Sequence, residues 1–254
     1  MATYSTCVFC GRNDSPPSKE DVLPRWISRE FQFDAFEVRP KHNKPTFRTR
    51  KNLGIFTKKP CRRCNNGWMA ALESEVQPVM TPLLYARSKV LTVSDQQLLT
   101  RWFVKTLVMY DCAAEKMREP YFNSNERQTL AKQVLIPRDT MVFLSSYKGQ
   151  YAVITRETNL PITFDYPTPS GNASSLVRGY AATFAIKHLV LQLFSVRRPS
   201  ELAFANLGFD VKRIANTDIQ IWPAKQSVNW PPPAYLTDPG FEFFAERWLN
   251  MITL

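Results

Sequence analysis

Two pairs of cysteines have the spacing of metal ligands. Cys7 and Cys10 form one pair with two residues between them, and Cys61 and Cys64 form the other. Thiolates bind zinc strongly, and a pair with this spacing presents two sulfurs to one ion from a single turn. Four sulfurs fill a tetrahedral shell and leave no position for water. The sequence therefore predicts one structural zinc site, with four unrelated cysteines as the alternative.

The cysteine usage also favours metal binding over disulfide bonds. Four of the five cysteines fall in the two tight pairs, Cys112 is left over, and no signal peptide precedes them. This usage is typical of a reducing compartment, so we expect a cytoplasmic protein. No segment approaches the ~18 apolar residues that a transmembrane helix needs, and we expect no membrane partner.

Basic residues are concentrated near the cysteines. The net charge is +11, and residues 1–66 hold 14 Lys/Arg against 6 Asp/Glu. Ten of these basic residues lie between Arg39 and Arg63 with no acid among them. Such a run attracts polyanions through counterion release, and nucleic acid, DNA first, is the predicted partner. The candidate contacts are Arg48, Arg50, Lys51, Lys58, Lys59, Arg62 and Arg63. A solvated basic loop is the alternative.

The residues around the cysteines resemble a known family. Glu20 and Asp21 are followed by Val-Leu-Pro-Arg-Trp, and Cys64 is followed by Asn-Asn-Gly-Trp-Met and then, two residues later, by Leu-Glu. This combination resembles the HNH endonucleases that contain zinc, and more narrowly a group of HNH-like bacterial and phage proteins. The Trp-Pro segments at residues 219–223 and 230–233 are similar to C-terminal segments of the same group.

The resemblance implies roles for four polar residues. In HNH enzymes an acidic residue and a residue on the following helix hold a divalent metal, Mg²⁺ or Mn²⁺. A histidine activates the attacking water, and an asparagine orients that histidine. By position, Glu20 matches the acidic ligand, Asn52 the orienting asparagine and Asn65 the third motif position. Asp21 stands where the histidine belongs. Phosphodiester hydrolysis needs such a base and such a cation.

The residue Asp21 departs from the family pattern. A carboxylate with a reference pKa of about 3.9 is a weaker base than imidazole. Losing a general base typically removes ~10²–10⁴-fold of rate. One hypothesis is a DNA-binding protein of HNH descent whose cleavage is weak or lost. Another is an altered acidic site that still cleaves with metal, and a third is that Asp21 is an inactivating replacement. The competing class is a non-catalytic adaptor or regulator that binds an acidic protein through the zinc module and the basic loop.

The elements that would position these residues form a strand–hairpin–helix order. Residues 19–23 predict a short strand that Pro24 ends, and a helix follows to about residue 31. Residues 47–50 and 53–56 predict a hairpin. A helix is predicted after the second cysteine pair, with Trp68, Leu72 and Val76 at helical spacing, and it should end before Pro78. Together these elements predict an HNH-like ββα zinc module over residues 1–77.

The segment 78–254 is predicted as a second domain. An amphipathic helix is predicted over residues 95–116, and a hairpin over residues 141–147 and 150–155. Residues 178–196 alternate like a strand, with a helix over 185–193 as the alternative. The predicted fold is therefore α+β, with the N-terminal module followed by a domain with a mainly antiparallel sheet. No motif in this domain indicates a role, and it is the expected place for a protein partner or a homo-oligomer contact.

Overall fold

The computed structural model combines helices with mainly antiparallel strands, which confirms the α+β class. Within the part of the chain that it describes, no helix is both long enough and apolar enough to cross a membrane. The described residues are 3–31, 37–38, 46–47, 55–114, 120–133, 136–137, 139–168, 171–197 and 216–247.

The N-terminal part is built on a pair of short strands that are distant in sequence. Strand β1 (Glu20–Asp21) pairs antiparallel with β4 (Phe56–Thr57), and helix α1 (Arg25–Phe31) follows β1 after Pro24. Strands β2 (Glu37–Val38) and β3 (Thr46–Phe47) form a second antiparallel pair.

The predicted hairpin between residues 47–50 and 53–56 lies mostly outside the described residues. Within them, β3 pairs with β2, and β4 pairs with the distant strand β1. The physical reason lies beside the cysteines. A bridge between Pro17 and Cys61 holds the two cysteine segments side by side, and this fixes β1 against β4. A pattern of neighbouring strands in the sequence cannot reveal a pairing that a distant contact imposes.

The second cysteine pair leads into a long helix. A helical turn, α2 (Arg62–Cys64), and a π-helical turn (Asn65–Met69) precede helix α3 (Ala70–Leu84). The predicted end before Pro78 is wrong, because α3 continues through Pro78 and Pro82. An internal proline costs about 3 kcal/mol. Burying a large apolar side chain stabilises by about 1.5–3 kcal/mol, and α3 buries six: Leu72, Val76, Val79, Met80, Leu83 and Leu84.

Helix α4 (Val93–Ala114) packs against both α3 and β4. It matches the predicted helix over residues 95–116 closely. The buried core is continuous from Phe9 near the N-terminus to Trp230 near the C-terminus. The predicted domain boundary between residues 77 and 78 lies within α3, and the division into two domains stays a prediction.

The main sheet has six strands. They are β6 (Thr140–Tyr147), β7 (Val153–Thr168), β8 (Gly171–Ile186), β9 (Leu189–Val196), β10 (Asp218–Trp222) and β12 (Tyr235–Leu236). Their order is β10-β6-β9-β8-β7, with β12 also paired to β6. All neighbours are antiparallel except β12 and β6.

The main sheet corrects one predicted strand pairing and decides between strand and helix for residues 178–196. Strand β6 pairs with β9, so the predicted hairpin of residues 141–147 with 150–155 is wrong in its pairing. Residues 178–196 are strands and not a helix, because β8 turns into β9 at Lys187, whose φ is +52°. Both faces of these strands are buried, with Phe184 in one core cluster and Ala185 in another. Burial on both faces removes the clear alternation that separates strand from helix.

Helices pack on both faces of the sheet. Residues of α4 share one core cluster with the sheet, and residues of α6 (Asp238–Glu246) share the other. Strand β5 (Lys89–Leu91) pairs with β11 (Val228–Trp230), and α5 (Ser124–Gln133) follows α4.

Candidate metal centre and acidic pocket

The four predicted zinc ligands meet at one point. The Sγ atom of Cys7 lies 3.7 Å from that of Cys64, and the Sγ atom of Cys10 lies 3.8 Å from that of Cys61. All four sulfurs lie within 4.8 Å of one another. Tetrahedral zinc with bonds of ~2.3 Å would hold its sulfur ligands ~3.8 Å apart. The cluster could therefore hold a metal ion such as zinc.

Backbone hydrogen bonds position the two cysteine segments. The Val8 amide donates to the Lys59 carbonyl at 3.1 Å, and the Cys61 amide donates to Cys7 Sγ at 3.2 Å. A hydrogen bond with the Cys64 thiol, against the opposing effect of burial, lowers the pKa of Cys7 to about 4. The same hydrogen bond raises the pKa of the Cys64 thiol, and burial raises the pKa of the Cys10 thiol. Thiolate is the form of cysteine that binds metal.

A pocket of about 340 Å³ lies beside the metal centre and gathers three carboxylates. Glu20 and Asp21 reach it from β1, and Glu73 reaches it from the first turn of α3. Asn65, the residue that follows Cys64, also lines it. Cations surround these acids at Lys19, Arg25 and Arg29. Three of the residues that the resemblance singles out, Glu20, Asp21 and Asn65, thus share one cavity.

Burial is the main influence on the pKa of Glu20. It raises the pKa of Glu20 above its ordinary value. Lys105 and a hydrogen bond with the Asn65 side chain oppose this rise, whereas the neighbouring charges of Glu73 and Asp21 add to it. Asn65 also donates from Nδ2 to Ser18 Oγ at 2.8 Å, which fixes the amide in place. A carboxylate with a raised pKa is better suited to exchange a proton near neutral pH.

We expect Glu20→Gln to stabilise the protein at pH 8. Because the pKa of Glu20 is raised in the folded protein, the folded state holds this proton more tightly than the unfolded chain does. The free energy of unfolding therefore falls as pH rises through the folded pKa. The gain from Glu20→Gln should shrink as the pH falls from 8 to 5, towards the unfolded pKa of about 4.3.

The measurement for this prediction is urea unfolding at pH 8, 6.5 and 5, with zinc content checked at each pH. The exposed acid Glu75 offers a control on the same helix. Glu75→Gln should change the free energy of unfolding by at most about 0.5 kcal/mol at every pH. A gain from Glu20→Gln that stays constant or grows towards pH 5 would contradict the assignment.

The carboxylate of Asp21 is held by a neighbouring cation. Arg25 Nε lies 2.7 Å from Asp21 Oδ2, across one turn at the start of α1. Lys19 Nζ lies 4.0 Å from the centre of the Phe56 ring on the partner strand. The structure therefore places Asp21 as an ion-pair partner on the pocket lining.

The pair Glu73–Lys105 was not assigned a role from the sequence. Lys105 Nζ lies 2.6 Å from Glu73 Oε1, and the lysine side chain is 0% exposed while that of Glu73 is 20% exposed. Lys105 comes from α4 and lies among apolar residues such as Phe103 and Leu107. A lysine inside an otherwise apolar helical segment was the sequence signal that could have identified it, because lysine is almost never fully buried unless it is paired.

The other predicted site residues divide into two groups. Asn52, Arg48, Arg50 and Lys51 lie outside the described residues. Four candidate contacts for nucleic acid are exposed beside the metal centre: Lys58, Lys59, Arg62 and Arg63. Arg63 also pairs with Asp14, with 3.0 Å between Nη2 and Oδ2.

The acidic pocket does not offer a ready three-ligand site for a divalent cation. Within the described residues, one group of three or more Cys, His, Asp or Glu side chains brings its ligand atoms within 4.8 Å of one another. That group is the four-cysteine cluster. Glu20, Asp21 and Glu73 do not converge in that way, although Mg²⁺ and Mn²⁺ prefer oxygen ligands. Their geometry thus gives no support to the Mg²⁺ or Mn²⁺ site that the resemblance implies.

Comparison of the chain with models of protein families, with curated proteins and with solved structures found no match in any of the three.

Proposed function

We propose that this chain is a DNA-binding protein of HNH-endonuclease descent, with a structural zinc and with phosphodiester cleavage that is weak, altered or lost. One observation carries the proposal. Glu20, Asp21 and Asn65 line one pocket, and Asn65 directly follows a ligand of the four-cysteine cluster. Strand β1 pairs antiparallel with β4, and α3 follows β4 after the second cysteine pair, although α1, β2 and β3 lie between β1 and β4 in the chain.

Positive charge around the pocket supports DNA as the ligand. Lys19, Arg25 and Arg29 line its walls. Lys58, Lys59 and Arg62 are exposed on the segment that joins β4 to the metal centre. Phosphate contacts supply most of the affinity for DNA and make it dependent on salt. A phosphate that enters the pocket would meet Lys19, Arg25 and Arg29 beside the carboxylates.

We expect the triple variant Lys58→Gln/Lys59→Gln/Arg62→Gln to bind duplex DNA at least about 10-fold more weakly, because up to three cations that pair with phosphates are removed. The slope of log affinity against log salt should fall by about 1 for each phosphate that is no longer neutralised. Fluorescence anisotropy with a labelled duplex, titrated at several salt concentrations, measures both quantities.

The matched control removes the same charge from distant exposed positions, as Lys132→Gln/Lys148→Gln/Lys225→Gln. It should keep most of the affinity if binding is local to the metal-centre face. Equal losses in the two variants would mean that only net charge matters. Unchanged binding in the first variant would overturn the proposal and favour the adaptor class.

Plasmid cleavage in Mg²⁺ or Mn²⁺ distinguishes a pocket that still cleaves phosphodiesters from one that has lost this activity. We expect slow nicking or none, because no imidazole stands at Asp21 and a missing base costs ~10²–10⁴-fold in rate. Any nicking that belongs to this pocket should disappear in Glu20→Ala. Fast cleavage by the unaltered protein would contradict a weakened site, and cleavage that survives Glu20→Ala would place the activity elsewhere or in a contaminant.

A further inference from the structure

A charged residue lies in the core directly behind the acidic pocket. Lys105 is fully buried in α4, and its ammonium contacts Glu73 Oε1 at 2.6 Å. Glu73 in turn lines the pocket with its partly exposed carboxylate. Removing a charged group from water costs several kcal/mol, so such a lysine persists only with a partner of opposite charge. Lys105 thus fixes one positive charge beside Glu73, in the core and not on the lining of the cavity.

The charge of Lys105 acts on more than its direct partner. Its positive charge opposes the rise in the pKa of Glu20, whereas Glu73 adds to that rise. The ammonium therefore contacts Glu73 and also influences Glu20. In a medium of low effective dielectric constant, charges at such separations interact strongly.

The pocket pairs two of its three carboxylates with cations of the protein itself. Asp21 pairs with Arg25, and Glu73 pairs with Lys105. The three acids also fail to converge into a three-ligand set within the described part of the chain. A divalent cation would have to compete with the fixed ammonium for Glu73, and Glu20 alone offers it too few ligands.

We propose that Lys105 is a positioning residue that serves as the fixed cation of the pocket. It holds Glu73 away from metal coordination, so that the pocket takes a DNA phosphate without a bound divalent cation. The inference rests on the proposed function for its ligand, but the exclusion of the cation rests on the pocket alone. It gives a physical reason for weak or lost cleavage that is independent of the missing histidine.

The test measures Mn²⁺ binding to the zinc-loaded protein by electron paramagnetic resonance, without DNA. Mn²⁺ is the weakest competitor among the divalent first-row metals, so it should leave a zinc held by four cysteines in place. We expect no Mn²⁺ binding that depends on Glu20 in the unaltered protein. We expect Lys105→Gln, which keeps a hydrogen-bond donor for Glu73 but no charge, to gain at least about 10-fold in Mn²⁺ affinity.

Two control variants test which carboxylates cause the gain in Mn²⁺ affinity. Glu73→Gln/Lys105→Gln and Glu20→Ala/Lys105→Gln each lack one of the two carboxylates that would hold the ion, and both should return to the Mn²⁺ affinity of the unaltered protein. A gain that persists in these variants would overturn the proposal. A merely structural ion pair between α3 and α4 would change stability in Lys105→Gln without any change in Mn²⁺ affinity, which would also overturn it.

The proposal stays testable if Lys105→Gln does not fold. Mn²⁺ binding by the unaltered protein that is lost in Glu20→Ala would overturn it without any substitution at Lys105. Mg²⁺-dependent plasmid cleavage by Asp21→His, with Lys105 in place, would overturn it as well. DNA binding by the zinc-loaded protein with the same affinity with and without added Mg²⁺ would support it. Absence of DNA binding under every condition would defeat the proposed function, while the Mn²⁺ titration would still decide the role of Lys105.

Discussion

Replacing Cys61 with serine is expected to remove the bound metal and to unfold the region around β1 and β4. The β1–β4 pair contains two residue pairs and cannot persist alone. Structural zinc contributes about 10–16 kcal/mol of apparent binding free energy in zinc-finger peptides. That is as large as the whole stability of a typical domain, about 5–15 kcal/mol. Loss of one of four ligands should therefore abolish the cooperative unfolding of this region.

The measurements for this prediction are zinc content by elemental mass spectrometry and thermal unfolding by circular dichroism. Cys112 supplies the matched control, because it is buried in α4 and lies outside the cluster. Cys112→Ala should keep one zinc per chain. If Cys61→Ser also kept a full zinc content and the unaltered melting temperature, the cluster would not be a structural metal site.

Replacing Arg247 with methionine is expected to destabilise the protein by about 3–5 kcal/mol, because it leaves a buried charge without its partner. Arg247 Nη1 lies 2.8 Å from Asp218 Oδ2, and both side chains are 0% exposed. Arg247 Nε also donates to Gln192 Oε1 at 2.8 Å. The ion pair joins the residue that follows α6 to strand β10 in the interior of the protein.

Urea unfolding measures this cost, with Arg156→Met as the matched control. Arg156 pairs with Glu242 at a site where the two side chains are 20% and 39% exposed. Such an accessible pair should contribute only about 0–1 kcal/mol. The double variant Arg247→Met/Asp218→Leu should recover much of the stability, because neither buried charge remains. A loss from Arg247→Met no larger than that from Arg156→Met would contradict a buried, paired arginine.

The spacing of the cysteines was enough to predict a metal cluster, because each C-x₂-C turn presents two sulfurs to one ion and two such turns supply four ligands. The pattern around Glu20 and Asp21 also led to the pocket, since short motifs keep their side chains near the turn that carries them. The broad class followed from local signals in the same way. Helix α4 was identified by its apolar periodicity and strand β6 by its apolar and β-branched residues, whereas residues 178–196 left a strand and a helix as alternatives.

The pairing of those strands could not be derived from such local signals. The turn signal at Lys148 and Gly149 predicted a hairpin between the strands on either side of it. Strand β6 instead pairs with β9, and β7, which follows the turn, pairs with β8. Pro78 predicted a helix end, yet the apolar side chains on both sides of it are buried in the core that α3 shares with α4. In each case, long-range burial outweighed a local preference of a few kcal/mol.

The sequence by itself thus determined the ligand types, the helices with clear periodicity and three residues of the acidic pocket wall, Glu20, Asp21 and Asn65. Only the tertiary structure decided that β1 pairs with β4, that α3 and α4 meet behind the pocket, and that Lys105 faces Glu73 there. The physical reason is that a buried ion pair couples residues 32 positions apart. Its energy depends on burial and on the distance between the charges, and neither quantity exists until the chain has folded.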